Sequence, residues 1–319
     1  MLAITETKAQ AVATDAQPTD KEVFKTFVAQ LDASERTKAT YSKSLKQWGL
    51  FLTGEGATAL TAARMHVLAY KKSMESEGKK AATVNAYLTA VRQLYAWLES
   101  EGVKPNIAAS VKGLRKSARS SKDALTVAQA REVLADAPTE GATVAQLRDY
   151  ALVNLLTRRG LRTIEAARAD IEDIRTLNGE TVLYVQGKGY ADKGEIVVLG
   201  ESCEKPIRAY LAARGCADRT APLFASESNN NRGGRMSANA ISQICKAALK
   251  AHGIDSPAIT AHSLRHTAVT SALLAGASLQ EVQALARHKS INTTMIYAHN
   301  LDRMKAGAEH AIDGLLGAA

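Results

Sequence analysis

The stretch AHSLRHTAVTSALLAG, residues 261–276, places His262, Arg265 and His266 at i, i+3 and i+4, just ahead of an apolar run. On a helix all three project from one face, close to its start. Two imidazoles and a guanidinium in that position admit three readings. The first is no chemistry at all, a solvated helix end with a satisfied histidine. The second is zinc, because His at i and i+4 is the spacing of H-E-x-x-H. That motif needs Glu directly after the first His, and Ser263 stands there. Arg265, a permanent cation between the imidazoles, also disfavours a divalent metal, so no metal-ligating set is expected. The third is an anion, most simply a phosphate. Orphan N–H groups and the positive end of the helix dipole attract it, and a guanidinium offers a planar fork that fits it.

The rest of the chain bears on that choice. With 319 residues, 46% of them hydrophobic, it can bury two domain cores. The net charge of +9 is unevenly placed. Residues 1–122 hold 19 Lys and Arg against 11 Asp and Glu, whereas residues 123–319 hold 22 against 21. A basic first third points to a nucleic-acid partner, whose phosphates it neutralises. Cys203, Cys216 and Cys245 form no C-x-x-C pair, which fits a reducing cytoplasm and gives no sign of a disulfide framework or zinc ribbon. No 18-residue apolar stretch and no signal-peptide pattern occur, so a soluble, cytoplasmic protein without a membrane partner is expected.

Hydrophobic periodicity then lays out the positioning elements. Residues 1–19 lack usable periodicity and read as disordered. Four amphipathic patterns fill 20–110 and predict a small helical bundle. In VKGLRKSARSSKDA, residues 111–124, Lys112, Arg115, Lys116, Arg119 and Lys122 lie among serines. This reads as an exposed basic linker suited to lying along DNA phosphates. From 125 to 305 the pattern is helical again, interrupted by three strand patterns with an Asn178-Gly179 hairpin turn and a Gly/Lys-rich turn. Further helices are expected at about 202–214, 237–252, 263–275, 279–288 and 293–299, with Ser278 and Glu281 as a capping box. Residues 306–319 form a tail in which Ile312, Leu315 and Leu316 could dock on a neighbouring protomer or on their own domain. There is no Walker A motif.

These pieces resemble the tyrosine recombinase (phage integrase) family. The motifs GLRTIEAARADI at 160–171, GKG at 187–189, HSLRH at 262–266, ARH at 286–288 and TTMIYAH at 293–299 occur in that family's order and spacing. ERTKATYSKSLKQW and AATVNAYLTAVRQLYAWLESEG look like the core-binding domain of Xer-type members, so the resemblance spans about 20–305. It implies a mainly α fold with a small antiparallel β-sheet: an N-terminal SAM-like core-binding bundle, then a catalytic domain, the two embracing duplex DNA. It implies Tyr297 as nucleophile, Arg162 and Arg265 as phosphate-clamping arginines, Lys188 as general acid, His262 as the histidine of the H-x-x-R pair, and His288 in the family's His/Trp position. It further implies double-stranded recombination sites, a homo-tetramer on synapsed DNA with room for an accessory protein or partner recombinase, nucleoid association and no cofactor.

The chemistry asks for the same residue types. A phenol near pKa 10 needs local positive charge to attack a phosphodiester. Paired guanidiniums stabilise the charge of the pentavalent transition state. The departing 5′-oxygen needs a proton. His266 reads as a packing neighbour, Glu165 as the partner of a cation or helix end, and Lys193 as the rival of Lys188 in the same turn. The chain departs from the family at Ile164, where Ser is usual, and at Arg287, where Leu-Gly-His is usual and Ala286-Arg287-His288 stands. Two rival functions use similar residues: a type IB topoisomerase, and a DNA-binding regulator that does not cut.

Overall fold

The computed structural model describes residues 18–115, 123–187, 190, 192–305, 312 and 315–317. The chain divides into two compact units, Met1–Ser117 and Ala118–Ala319.

The N-terminal unit is built from α1 (Asp20–Gln30), α2 (Glu35–Gly54), α3 (Arg64–Ser76) and α4 (Ala81–Ser100). Thr19 and Glu22 form a reciprocal capping box at α1, and Ser34 caps α2. The apolar stripes meet in one core around Phe27, Leu45, Trp48, Leu52, Leu88, Leu94 and Tyr95. The Tyr95 hydroxyl, buried with them, donates to the Ala59 carbonyl at 3.0 Å. The first residues of the stretch read as linker, 111–124, pack on this unit. Val111 is buried in this core, and Leu114 is held by a pair of bonds with the Asn85 amide, at 2.7 and 2.9 Å. Sequence periodicity does not register such a segment, because it packs without regular structure of its own. Lys112 and Arg115 are exposed. Lys116, Arg119 and Lys122 lie outside the described residues, as does the stretch 1–17.

The C-terminal unit opens with α5 (Val127–Ala135), α6 (Val144–Arg159) and α7 (Thr163–Arg168), followed by a 3-10 turn at Ile171–Asp173. Strands β1 (Ile174–Leu177), β2 (Glu180–Val185) and β3 (Glu195–Val198) form an antiparallel sheet in chain order. Asn178 and Gly179 both take positive φ, as a two-residue hairpin turn demands. Leu183, Val185 and Val197 face the core. Helices α8 (Glu201–Arg214), α9 (Ala238–Ala251), α10 (Ala261–Leu274), α11 (Leu279–Ala286) and α12 (Ile291–Lys305) complete the unit. The mainly helical architecture with one small sheet is that expected. Helix α10 starts two residues earlier than its periodicity suggests, which puts His262 inside its first turn. Ile312, Leu315 and Leu316 are exposed. Among the described residues no helix is long and apolar enough to cross a membrane.

Candidate active site

Five helix ends converge in the C-terminal unit. Helix α6 is closed by Gly160 in the left-handed region (φ +60°), a conformation glycine adopts without strain. The turn delivers Arg162 to the N-cap of α7. There the Arg162 N–H donates to Glu165 Oε2 at 2.8 Å, and its Nη1 lies 2.5 Å from Glu165 Oε1. Glu165 has no solvent exposure, and its Oε2 also receives Arg287 Nη2 at 2.9 Å. Burial alone would push this carboxyl up. Arg287, and then the N–H and guanidinium of Arg162, outweigh it and hold Glu165 below its ordinary range.

Helix α10 contributes the H-x-x-R pair. Its N-cap Thr260 donates its N–H to Ser263 Oγ at 3.0 Å, fixing the first turn. Arg265 is almost fully buried. Its Nη1 donates to the Gly160 carbonyl at 2.5 Å and its Nη2 to the Ala286 carbonyl. Both acceptors sit at helix C-termini, where carbonyls lack intrahelical partners and the dipole is negative. Arg265 therefore ties α6, α10 and α11 together, and each terminal nitrogen retains a second N–H. Burial, with Arg162 and Arg287 beside it, pulls its pKa down to about 9, still protonated at neutral pH.

His262 is exposed, and its ring meets that of His266 edge-on at 4.6 Å. His266 is buried and packs at 5.1 Å from the ring of Tyr297, so it is the packing neighbour expected. Tyr297, half-buried on α12, also stacks on His288 at 6.2 Å. His288 is oriented by Thr294, whose hydroxyl lies 2.9 Å from Nδ1. Burial brings both His266 and His288 down to about 4. His262 and Arg265 add to the effect at His266, and Arg265, Arg162 and Arg287 at His288. Both rings are neutral at pH 7. Burial raises Tyr297 above the ordinary phenol value, and Arg265 opposes that rise.

Of the residues singled out in the sequence, Arg162 and Arg265 meet around Gly160 and Arg287, and His288 and Tyr297 pack with His266, which His262 touches; Arg265 acts electrostatically on Tyr297. Lys188 lies outside the described residues. Its rival Lys193 is engaged elsewhere, with Nζ 2.5 Å from Asp170 Oδ2 and from Asp173 Oδ2. Those carboxylates outweigh burial and raise the Lys193 pKa, the opposite of what a proton donor needs. Glu165 is the cation partner expected, though with two arginines rather than one. Two features escaped the sequence reading. One is the part played by Arg287. The other is an exposed groove between α2 and α4, lined by Arg36, Lys43, Thr83 and Tyr87. The basic residues at helical spacing in α2 were the available signal for it.

The arrangement offers guanidiniums for an anion, neutral imidazoles as hydrogen-bond partners and a phenol as nucleophile. Residues 24–102 match the family model of the phage integrase N-terminal SAM-like domain, and residues 123–304 match that of the phage integrase family. Tyrosine recombinase XerC of Pelobacter propionicus is 33% identical over 275 residues, covering 85% of this chain and 87% of the relative. Tyrosine recombinase XerD of Rhizobium meliloti is 29% identical over 280 residues, covering 86% and 88%. Among solved structures, the XerH site-specific recombinase bound to palindromic difH substrate has a TM-score of 0.72 at 19% identity, covering 92% of this chain and 84% of that one. A lambda integrase dimer bound to a COC′ core site has a TM-score of 0.67 at 16% identity, covering 87% and 75%. The structural likeness carries the fold, and the family models and curated relatives carry the membership: the chain belongs to the phage integrase family, the tyrosine recombinases.

Proposed function

We propose that this recombinase acts through Tyr297, whose phenol oxygen attacks a phosphodiester of duplex DNA. The P–O bond to the 5′-oxygen breaks, a 3′-phosphotyrosyl bond forms, and the 5′-oxygen leaves as a hydroxyl after taking a proton. The observation that supports this most is the placement of Tyr297 against His266 and His288, where burial raises its pKa and the nearby Arg265 charge opposes that rise. In this reading Arg162 and Arg265 present their remaining N–H groups to the non-bridging oxygens, and His262 adds a donor from the exposed turn of α10. Lys188 protonates the leaving oxygen. The phosphotyrosyl bond conserves the energy of the bond that was broken, so rejoining to a second 5′-hydroxyl needs no ATP.

Lys112, Arg115, Lys116, Arg119 and Lys122, together with Arg36 and Lys43 on α2, would neutralise DNA phosphates. Four copies on two synapsed sites would exchange strands in pairs, at the nucleoid in the cytoplasm, to integrate or excise an element or to resolve dimers.

The test uses nicked suicide duplexes tiled from the DNA flanking the gene, with a gel-shift control for binding. An SDS-resistant protein–DNA adduct is expected from the wild type and none from Tyr297→Phe. Specific binding by the wild type without an adduct would refute the assignment.

A further inference from the structure

Among the described residues, two other than glycine take positive φ, Asn178 and Arg287. Asn178 is explained by its hairpin turn. Arg287 closes α11 as its left-handed C-cap, a place glycine usually fills, and a long side chain there is strained. It is also buried, and among the described residues its Nε has no hydrogen-bond partner. Two local costs at one residue call for a function in what the side chain touches.

Arg287 Nη1 donates to the Leu285 carbonyl at 2.7 Å, which anchors the side chain to the end of its own helix. Its Nη2 lies 2.9 Å from Glu165 Oε2 and 3.2 Å from the Gly160 carbonyl. That Gly160 carbonyl is the one that receives Arg265. The Arg287 main-chain carbonyl accepts from Arg162 Nη2 at 3.3 Å. One residue therefore reaches both arginines proposed for the phosphate. It touches Arg162 through its carbonyl and through the shared carboxylate, and Arg265 through a shared acceptor. With its backbone in this conformation, the carbonyl and guanidinium of the same residue both address the cluster.

We propose that Arg287 is a positioning residue of the recombination site, a third arginine that sets the charge and orientation of Arg162. The inference rests on the function proposed above. With Arg162 as its sole cation, the buried Glu165 carboxylate would neutralise the guanidinium meant for the phosphate. Arg287 takes half of that carboxylate, on the oxygen that Arg162 Nη1 does not use. Arg162 is then held in place yet keeps a net positive charge to present. Arg287 itself is tied to Leu285, Gly160 and Glu165 and does not touch the DNA.

The experiment measures single-turnover formation of the covalent adduct at saturating nicked duplex, the binding constant for that duplex, and the melting temperature of each variant. Arg287→Gly relieves the backbone and removes the charge, and Arg287→Gln removes the charge while keeping most of the side chain. Both should slow adduct formation about tenfold, the scale of coupling within one ion-pair network, with binding changed less than about threefold. Adding Glu165→Gln to either should restore most of the rate, because the charge that Arg287 balanced is gone. Arg287→Lys should cleave faster than Arg287→Gln. Should Arg287→Gly fail to fold, the Gln series gives the same comparison. A packing role alone predicts that melting temperature falls while the rate measured well below melting stays at the wild-type value. That result, or a slow single variant that Glu165→Gln leaves slow, overturns the inference. If the wild type forms no adduct, the proposed function falls, and this inference falls with it. If the wild type cleaves and Arg287→Gln cleaves equally well, only the inference fails.

Discussion

Replacing Glu165 by Ala removes the carboxylate on which the arginine cluster is assembled. Its side chain has no exposure and holds Arg162 Nη1 at 2.5 Å and Arg287 Nη2 at 2.9 Å. After truncation Arg287, whose side chain is 3% exposed, keeps only carbonyl acceptors. Removing one partner of a buried ion pair costs about 3–5 kcal/mol, against a total domain stability of roughly 5–15 kcal/mol. At about 2–4 °C per kcal/mol for a unit of this size, melting should fall by roughly 6–20 °C. Both tryptophans of the chain, Trp48 and Trp97, lie in the N-terminal unit. Tryptophan fluorescence therefore follows that unit, while calorimetry also records the catalytic one. The expected result is a lowered calorimetric transition for the catalytic unit and an unchanged fluorescence midpoint. The folded-state pKa of Glu165 lies below the free value of 4.5, so its contribution is present above that pH and lost as pH falls through the folded value. Glu165→Ala should accordingly flatten the acid limb of the stability curve. A loss below about 1 kcal/mol, the worth of an exposed pair, would refute the reasoning that this carboxylate organises the cluster.

Other measurements bear on the remaining assignments. Lys188→Ala should slow cleavage by about a hundredfold or more, the contribution of a general acid, and a substrate with sulfur as the bridging 5′ atom, which leaves without a proton, should recover most of the loss. Lys193→Met, which breaks the pairs with Asp170 and Asp173, should cost about 1 kcal/mol of stability and keep cleavage near the wild-type rate. The reverse ranking of the two lysines would exchange their roles. Gly160→Ala should destabilise by at least about 1–2 kcal/mol for a left-handed alanine, and its Cβ would meet that of Ala268 at 3.2 Å. An unchanged melting temperature contradicts that turn geometry. His266 and His288 fall from 6.5 to about 4 on folding, so the unfolded chain binds more protons between those values. Stability should decline as pH drops from about 6.5 towards 4, by up to about 1.4 kcal/mol per pH unit for each histidine. Identical melting at pH 6.5 and 5 would contradict their burial as neutral rings.

The sequence alone determined most of the secondary structure, because the signals are local. Ser34, Thr126, Thr143 and Ser278 announce their helices by hydrogen bonds to the third residue beyond. Asn178-Gly179 specifies its hairpin through backbone conformations that few residues tolerate. Arg162, Arg265, His288 and Tyr297 could be named as candidates because the family motifs keep residue type and spacing. Local signals do not report which residues meet across 100 positions or more. The Gly160 carbonyl as a shared acceptor for Arg265 and Arg287, and the partition of Glu165 between Arg162 and Arg287, join residues 105 to 127 apart in the chain. Lys193 stood as a rival to Lys188 in a Gly/Lys-rich turn, and only the tertiary structure pairs Lys193 with Asp170 and Asp173. Arg287 read as a mere departure from a usual glycine. Only the tertiary structure brings the end of α11 to Gly160 and Glu165, where the Arg287 guanidinium is buried beside a carboxylate and a low local dielectric strengthens their attraction.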